Sequence, residues 1–333
     1  MATFLKSKSL YYNDVNLIAQ PSQVNSRSEI PNEINRIIVS PMEAIVGKTF
    51  AKEADRLGLS ICLHRFCPPE RQLDIFNELE NKHRVFVSVG LHDIDRVKLL
   101  YNNGASNFLL DIANGYIKDI RPALYEIQAH APKLINLMVG NVMTGTGFYN
   151  STICTANTYV RVGIAGGSAC STSDATGYNR GQITEILEVK ETKNTMGNAN
   201  NKHHYIVADG GIKNGNYAAK AFGAGADYIM IGGLFGRAKE AETHIIGDGT
   251  YWGGASHKQQ ERYGGVKKHS EGKVYKINNS IISLEELLFG EHGIWEGIKS
   301  AISYSGYRTL TDFIGNGVFE IKQNSLPPKD RYN

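Results

Sequence analysis

The sequence predicts a closed barrel of eight parallel strands, each followed by a helix, and three observations carry that prediction. Short β-branched runs recur eight times, helical stretches separate them, and polar or glycine residues gather at the C-terminal ends of the runs. Such alternation implies a parallel sheet covered by helices, and eight units is the number that closes a (β/α)8, or TIM, barrel. Periodicity alone leaves an open, doubly wound sheet as the competing arrangement.

The runs are RIIVSP (36–41), LSICLH (59–64), VFVSVG (85–90), FLLDIA (108–113), LINLMVG (134–140), YVRVGI (159–164), HYIVADGG (204–211) and YIMIGG (228–233). Between them, KTFAKEADRLG (48–58), PERQLDIFNELE (69–80), DIDRVKLLYNNG (93–104) and NYAAKAFGAG (216–225) space their apolar residues for helices. No complete G-x-G-x-x-G follows an early run, which weakens the open-sheet alternative. Gly47-Lys48-Thr49 resembles the tail of a phosphate-binding loop, but Met42 stands where its first glycine is required, so a loop entering a helix is expected there. Beyond the eighth run the chain is Gly-rich and polar, then helical from about Ser283. A flap over about 251–274, closing helices over about 283–313, and one catalytic domain over 1–333 are expected.

Composition narrows the function. With 41% apolar and 21% charged residues the chain can bury a full core. A net charge of +3, from 36 basic and 33 acidic residues, is no nucleic-acid footprint. The N-terminus has no apolar signal region, and no stretch approaches ~18 uninterrupted apolar residues, so no membrane association and a cytoplasmic location are expected. Four scattered cysteines make neither a disulfide scaffold nor a zinc site.

Chemistry concentrates at the C-terminal ends of the sixth to eighth runs, where barrels carry their sites. VRVGIAGGSACSTSDATG (160–177) sets Cys170 in a glycine-serine loop whose amides can lower a thiol pKa and expose the sulfur. An inert, buried cysteine is the ordinary alternative, and it is the expectation for Cys62, Cys67 and Cys154. ADGGI (208–212) and MIGGLFGR (230–237) let backbone amides approach an anion closely, and Asp209 can accept hydrogen bonds from ribose hydroxyls. Either motif alone can be an ordinary turn; two in succession make phosphate binding the better reading.

With these motifs in order, the chain resembles the IMP dehydrogenase/GMP reductase family over nearly its whole length. LYYNDVNLIAQPSQVNSRSEI (10–30) is similar to the family's N-terminal segment, VSPMEAIVGKTFAKE (39–53) to its first strand and loop, and GNVMTG (140–145) to its fifth. VGIAGGSACST (162–172) looks like the cysteine loop, and YWGGAS (251–256) with SEGKV (270–274) like the flap. The resemblance implies that Cys170 attacks C2 of a purine and holds a thioimidate, with Thr172 near the group exchanged at C2 and Glu271 at the purine edge. It implies substrate contacts at Ser168, Asp209, Gly211, Gly232, Gly233, Tyr251, Gly253, Gly254 and Ala255. On the cofactor side it implies Arg65, Asp111, Asn114 and Gly115. It further implies a monovalent cation, K+, on the backbone of Ala165, Gly167 and Cys170, and a homotetramer.

Within the family, LDIANGY (110–116) and the second glycine of MIGG are similar to the reductase branch. Only about 20 residues separate the second and third runs, which leaves no room for an inserted regulatory (CBS-type) domain. The activity so implied is NADPH-dependent reduction of GMP to IMP with release of ammonia. Three alternatives stand beside it: dehydrogenase-like oxidation of IMP, reduction of a deoxy- or modified guanine nucleotide, and silent purine-nucleotide binding. The chain departs from the family pattern in four places. Gly-Pro-Gly becomes Ala165-Gly166-Gly167, the arginine three after the cysteine becomes Ser173, a lysine becomes Arg65, and the flap methionine becomes Gly254. Arg262-Tyr263 resembles the dehydrogenase Arg-Tyr pair, yet its spacing to the following glycines fits the shorter reductase flap.

Overall fold

A computed structural model describes residues 8–153, 155–167, 176–196, 203–247, 249–254, 256–262, 272–277 and 280–322, without the side chains of 260 and 262. A short strand β1 (Val15–Leu17) precedes the barrel strands β2 (Ile37–Val39), β3 (Ser60–Leu63), β4 (Val85–Val89), β5 (Asn107–Leu110), β6 (Asn136–Val142), β7 (Asn157–Val162), β8 (His204–Asp209) and β9 (Tyr228–Ile231). All eight pair in parallel, and β9 returns to β2 through Ile37↔Ile229 and Ile38↔Met230, so the sheet is closed. The expected barrel is the observed one, and the open sheet is excluded.

The helices between strands are α1 (Lys48–Leu57), α2 (Pro69–Asn77), α3 (Ile94–Asn102), α4 (Ile120–His130), α5 (Gly145–Ser151), α6 (Gln182–Met196) and α7 (Gly215–Ala224). Gly58 at φ 91° ends α1 in the left-handed region, as a helix C-terminus commonly requires. Gly47 caps the start of α1 with extended backbone, and a Cβ there would fall 1.8 Å from Glu242 Oε2. That turn is a packed helix entry. Between β3 and β4 lie only α2 and a turn at Lys82–Arg84.

Period two explains why the strands read as apolar runs. Ile38, Cys62, Phe86, Leu109, Met138, Tyr159, Val207 and Met230, one from each strand, fill the barrel as one buried cluster. Their neighbours, such as Ile37, Ile61, Val87, Leu110, Val139, Val160, Ile206 and Ile229, face the helices in a second cluster. Strands buried on both faces cannot alternate with polar residues. Each such side chain contributes about 1.5–3 kcal/mol on burial. Exposed pairs such as Lys48–Glu78 are screened by solvent and add little, so the two clusters hold the fold. Tyr159, Tyr205 and Tyr228 pack ring on ring, 4.7–5.4 Å apart, and close the N-terminal end of the barrel.

Three-residue strands also form outside the barrel. β10 (Thr250–Trp252) pairs antiparallel with β11 (Val274–Lys276), and β1 with β12 (Phe319–Ile321). Closing helices run at Leu284–Phe289, Ile294–Tyr304 and Leu310–Phe313. No helix among the described residues is long and apolar enough to cross a membrane.

One buried carboxyl strains this core. Glu185 lies on the inward face of α6 with Gln182, Ile186 and Val189, and is fully buried. Neither carboxylate oxygen has a hydrogen-bond partner among the described residues. Burial pushes its pKa up to about 8, against the pull of Arg180 and helped by Glu188. A carboxyl with a raised folded-state pKa favours the fold while protonated, and that advantage is lost as pH climbs from about 4.5 through about 8. Glu185→Gln is therefore expected to match wild-type stability near pH 5 and to exceed it by ~3 kcal/mol at pH 8. Urea denaturation at the two pH values checks this; parallel pH dependence in both proteins would contradict it.

Candidate functional site

One step along each strand from the apolar barrel cluster the chemistry changes. Two residues beyond Ile38, Cys62, Phe86, Leu109, Met138, Tyr159, Val207 and Met230 stand Ser40, His64, Ser88, Asp111, Gly140, Arg161, Asp209 and Gly232. By strand parity these form the floor of the C-terminal mouth. His64 and Ser88 are buried, and the charged members are joined to one another.

Arg161, only 8% exposed, is the centre of that floor. Its Nη1 donates to Asp111 Oδ1 and its Nε to Asp209 Oδ2, each at 3.0 Å. Burial opposes the positive charge, but Asp209 and Asp111 outweigh it and hold the guanidinium above its ordinary pKa. Asn141 donates from Nδ2 to Asp209 Oδ2 and to the Gly163 carbonyl, both at 2.8 Å. Its Oδ1 is buried with no hydrogen-bond partner among the described residues. On the other side, Arg65 Nε donates to the Asp111 carbonyl at 3.1 Å and lies 3.6 Å from Asp111 Oδ2. A continuous polar line therefore runs Asn141–Asp209–Arg161–Asp111–Arg65.

Glycines let the loops close on this line. Gly163, at φ 133°, brings the end of β7 so near β8 that a Cβ would sit 2.0 Å from the Asp209 carbonyl oxygen. Gly210, at φ 105°, lies against Gly166 and Gly167, where a Cβ would find Gly166 C at 2.8 Å and Gly167 N at 3.1 Å. The base of the cysteine loop thus rests on the turn that follows Asp209. Ala165 in that base holds φ 64°, a left-handed conformation that costs an L-residue about 1–2 kcal/mol. Ala165→Gly is expected to raise unfolding stability by about 0.5–1 kcal/mol, the relief being partly offset by glycine's larger chain entropy. Chemical denaturation measures it, and a lower stability would show that the alanine methyl makes contacts worth more than the strain.

At the β9 end, Tyr251 Oη donates to Met42 Sδ at 2.9 Å, and a Cβ on Gly232 would meet both at 3.2 Å. Gly233 begins a short 3-10 turn, Gly233–Arg237. The flap residues Gly253 and Gly254 follow β10, and a Cβ on Gly254 would fall 2.9 Å from the Phe66 ring. That ring carries the Arg65 guanidinium 4.4 Å from its centroid. The helix His257–Arg262 anchors the flap: Gln259 donates to Glu43 Oε2 at 2.7 Å and to the Phe66 carbonyl at 3.2 Å, and accepts from Trp252 Nε1 at 3.0 Å. Gly115 packs against the Asn141 backbone, to whose carbonyl its N–H donates at 2.9 Å. Asn114 is exposed and accepts from the Tyr116 N–H, apart from the polar line.

Of the residues singled out in the sequence, Arg65, Asp111 and Asp209 are thus brought into one network. Gly232, Tyr251, Gly253 and Gly254 line the flap side, Ala165 and Gly167 lie at the loop base, and Gly211 follows Gly210 in the turn. Ser168, Cys170, Thr172, Ala255 and Glu271 lie outside the described residues. Cys62 is fully buried within the barrel and Cys67 is 7% exposed, and burial raises both thiols above the ordinary pKa. Arg161 and Gln259 were not anticipated, and Asn141 was visible only within GNVMTG, as a polar residue at the end of its strand. Strand parity identifies Arg161: it stands two residues after Tyr159, on the inward face of a strand otherwise apolar at its centre. The described residues contain no cluster of three or more His, Cys, Asp or Glu side chains suited to a metal ion.

The IMP dehydrogenase / GMP reductase domain family model matches residues 9–325. A GMP reductase of Buchnera aphidicola subsp. Acyrthosiphon pisum (strain Tuc7) is 28% identical over 299 residues, covering 85% of this chain and 82% of the relative. That of Serratia proteamaculans (strain 568) is 26% identical, covering 93% and 94%, and that of Onchocerca volvulus is 26% identical, covering 96% and 92%. A match across almost all of the chain, on a barrel whose mouth carries these carboxylates and glycine turns, means that the protein belongs to the IMP dehydrogenase/GMP reductase family.

Proposed function

We propose that this protein is an NADPH-dependent reductase of a guanine nucleotide, of the GMP reductase type. The observation that carries the proposal is the joining of Asp209 and Asp111 through one buried guanidinium. The first is the expected ribose ligand, the second lies on the expected nicotinamide side, and a reaction between two bound partners needs both fixed in one frame. Relatives named GMP reductase, matched over most of their length, support the same reading.

The donor set suits a nucleotide. Asp209 is an acceptor for ribose hydroxyls, and the glycines at 210–211 and 232–233 suit close approach of a phosphate to the backbone. Arg65, Asp111, Asn114 and Gly115 offer charge and hydrogen bonds to a dinucleotide on the other side. The Cys170 thiolate adds to C2 of GMP, and Thr172 with Glu271 assists protonation and departure of the amino group as ammonia. NADPH, when bound, supplies the hydride that C2 accepts; the C2–S bond then breaks, which frees IMP and restores the thiolate. A monovalent cation on the backbone of Ala165, Gly167 and Cys170, and a homotetramer, belong to the same proposal.

A panel of purine nucleotides assayed by NADPH absorbance tests it. Loss of NADPH with GMP and release of ammonia are expected. Gain of NADH with IMP would make the protein a dehydrogenase, and preference for a deoxy- or modified guanine nucleotide would move the substrate within the same chemistry. Binding without turnover of any member would make it a silent binder.

A further inference from the structure

We propose that Arg161 is a positioning residue that couples the nucleotide and dinucleotide subsites, by holding Asp209 and Asp111 on one rigid guanidinium so that occupancy of either subsite orders the other. The inference rests on the function proposed above and adds a residue and a thermodynamic consequence to it.

The geometry asks for arginine in particular. Nε and Nη1 lie on different parts of the planar group, and each reaches a different carboxylate at 3.0 Å. Lysine, a point charge on a flexible stem, has no such fork and cannot hold two carboxylates at a fixed spacing. The side chains are little exposed, at 10% for Arg161, 14% for Asp111 and 16% for Asp209, so solvent screens these contacts weakly. Each aspartate also has a second partner, which on Asp209 shares Oδ2 with Arg161 and on Asp111 stands at the other oxygen. Asn141 donates to Asp209 at 2.8 Å, and Arg65 approaches Asp111 Oδ2 at 3.6 Å. Neither carboxylate can therefore turn toward a ligand without changing its bond to Arg161. Because the other carboxylate shares that guanidinium, its own orientation changes with it. A ribose hydroxyl that fixes Asp209 thus reduces the freedom of Asp111, and binding at the two subsites becomes cooperative in both directions, as linkage requires.

Calorimetric titration of GMP, with and without saturating NADP+, reads the coupling without turnover, because the oxidised dinucleotide has no hydride to give. The wild type is expected to bind GMP at least threefold tighter with NADP+ present, and NADP+ tighter by the same factor with GMP present. Arg161→Met should reduce that factor to about one and raise both KM values, and Arg161→Lys should restore it only in part. Arg161→Met leaves two buried carboxylates without their cation and can fail to fold. Asp111→Asn provides the second arm: it keeps Arg161 and Asp209 paired yet should still abolish the effect of NADP+ on GMP. A wild type without coupling would overturn the inference. So would an Arg161→Met or Asp111→Asn protein that keeps it, or an Arg161→Met protein that is merely less stable with both KM values unchanged. If the wild type neither binds GMP nor oxidises NADPH with it, the proposed function itself fails and the inference falls with it. A wild type that turns over GMP while Arg161→Met stays coupled overturns only the inference.

Discussion

Cys170→Ala is expected to abolish turnover, by at least three orders of magnitude, while GMP binding survives within a few-fold. The covalent route needs a thiolate, and removal of a covalent nucleophile typically costs ~10³ or more in rate. The described thiols offer no substitute. Cys62 is sealed inside the barrel, where burial keeps it protonated, and Cys67 is nearly as enclosed. Affinity, by contrast, is assigned by the proposed function to the glycine turns and Asp209, which the substitution leaves in place. Paired measurements of NADPH oxidation and GMP affinity separate the two effects. An alanine variant that keeps a tenth of the wild-type rate would remove Cys170 from the mechanism.

The barrel was legible because its strands are buried on both faces, so each one appears as a near-continuous apolar run with polar residues at its exit. The pairings β1–β12 and β10–β11 were not. Each is three residues long and antiparallel, and such strands are made by what lies opposite them in the fold. The same limit hid the flap anchor, since Gln259 and Glu43 are 216 residues apart and neither carries a local signal. Asp111 and Asp209 were visible as acids at strand ends. Arg161 was visible only in principle: within YVRVGI it looks like one more surface arginine until strand parity turns it inward. Two acids at strand ends suggest separate ligands, and the cation between them makes them one device. Glu185 is a different case, because helix periodicity assigns it to an apolar face and no sequence pattern there offers its carboxylate a partner.

Glu271→Gln is expected to slow NADPH oxidation with GMP by ~10²–10⁴, the usual worth of general acid–base assistance, with little change in nucleotide affinity. The amino group at C2 is a poor leaving group until a proton reaches it, and glutamine is an isostere that can neither deliver nor accept that proton. The proposed function gives phosphate and ribose contacts to the glycine turns and Asp209, so Kd for GMP should stay within a few-fold. Arg262→Ala is the internal control. Its position ends the flap helix His257–Arg262, and an arginine there has a chemical task only if a covalent intermediate must be hydrolysed by water. A reductase delivers hydride instead and has no water to activate, so Arg262→Ala should cost less than tenfold. The two substitutions thus read the direction of the chemistry within one protein. Single-turnover measurements of each variant, with GMP and NADPH in one arm and IMP and NAD in the other, compare them directly. A glutamine variant that remains active, beside an alanine variant that accumulates an unhydrolysed adduct, would identify a dehydrogenase. A crippled glutamine variant beside a nearly unaffected alanine variant is the outcome that reduction of a guanine nucleotide requires.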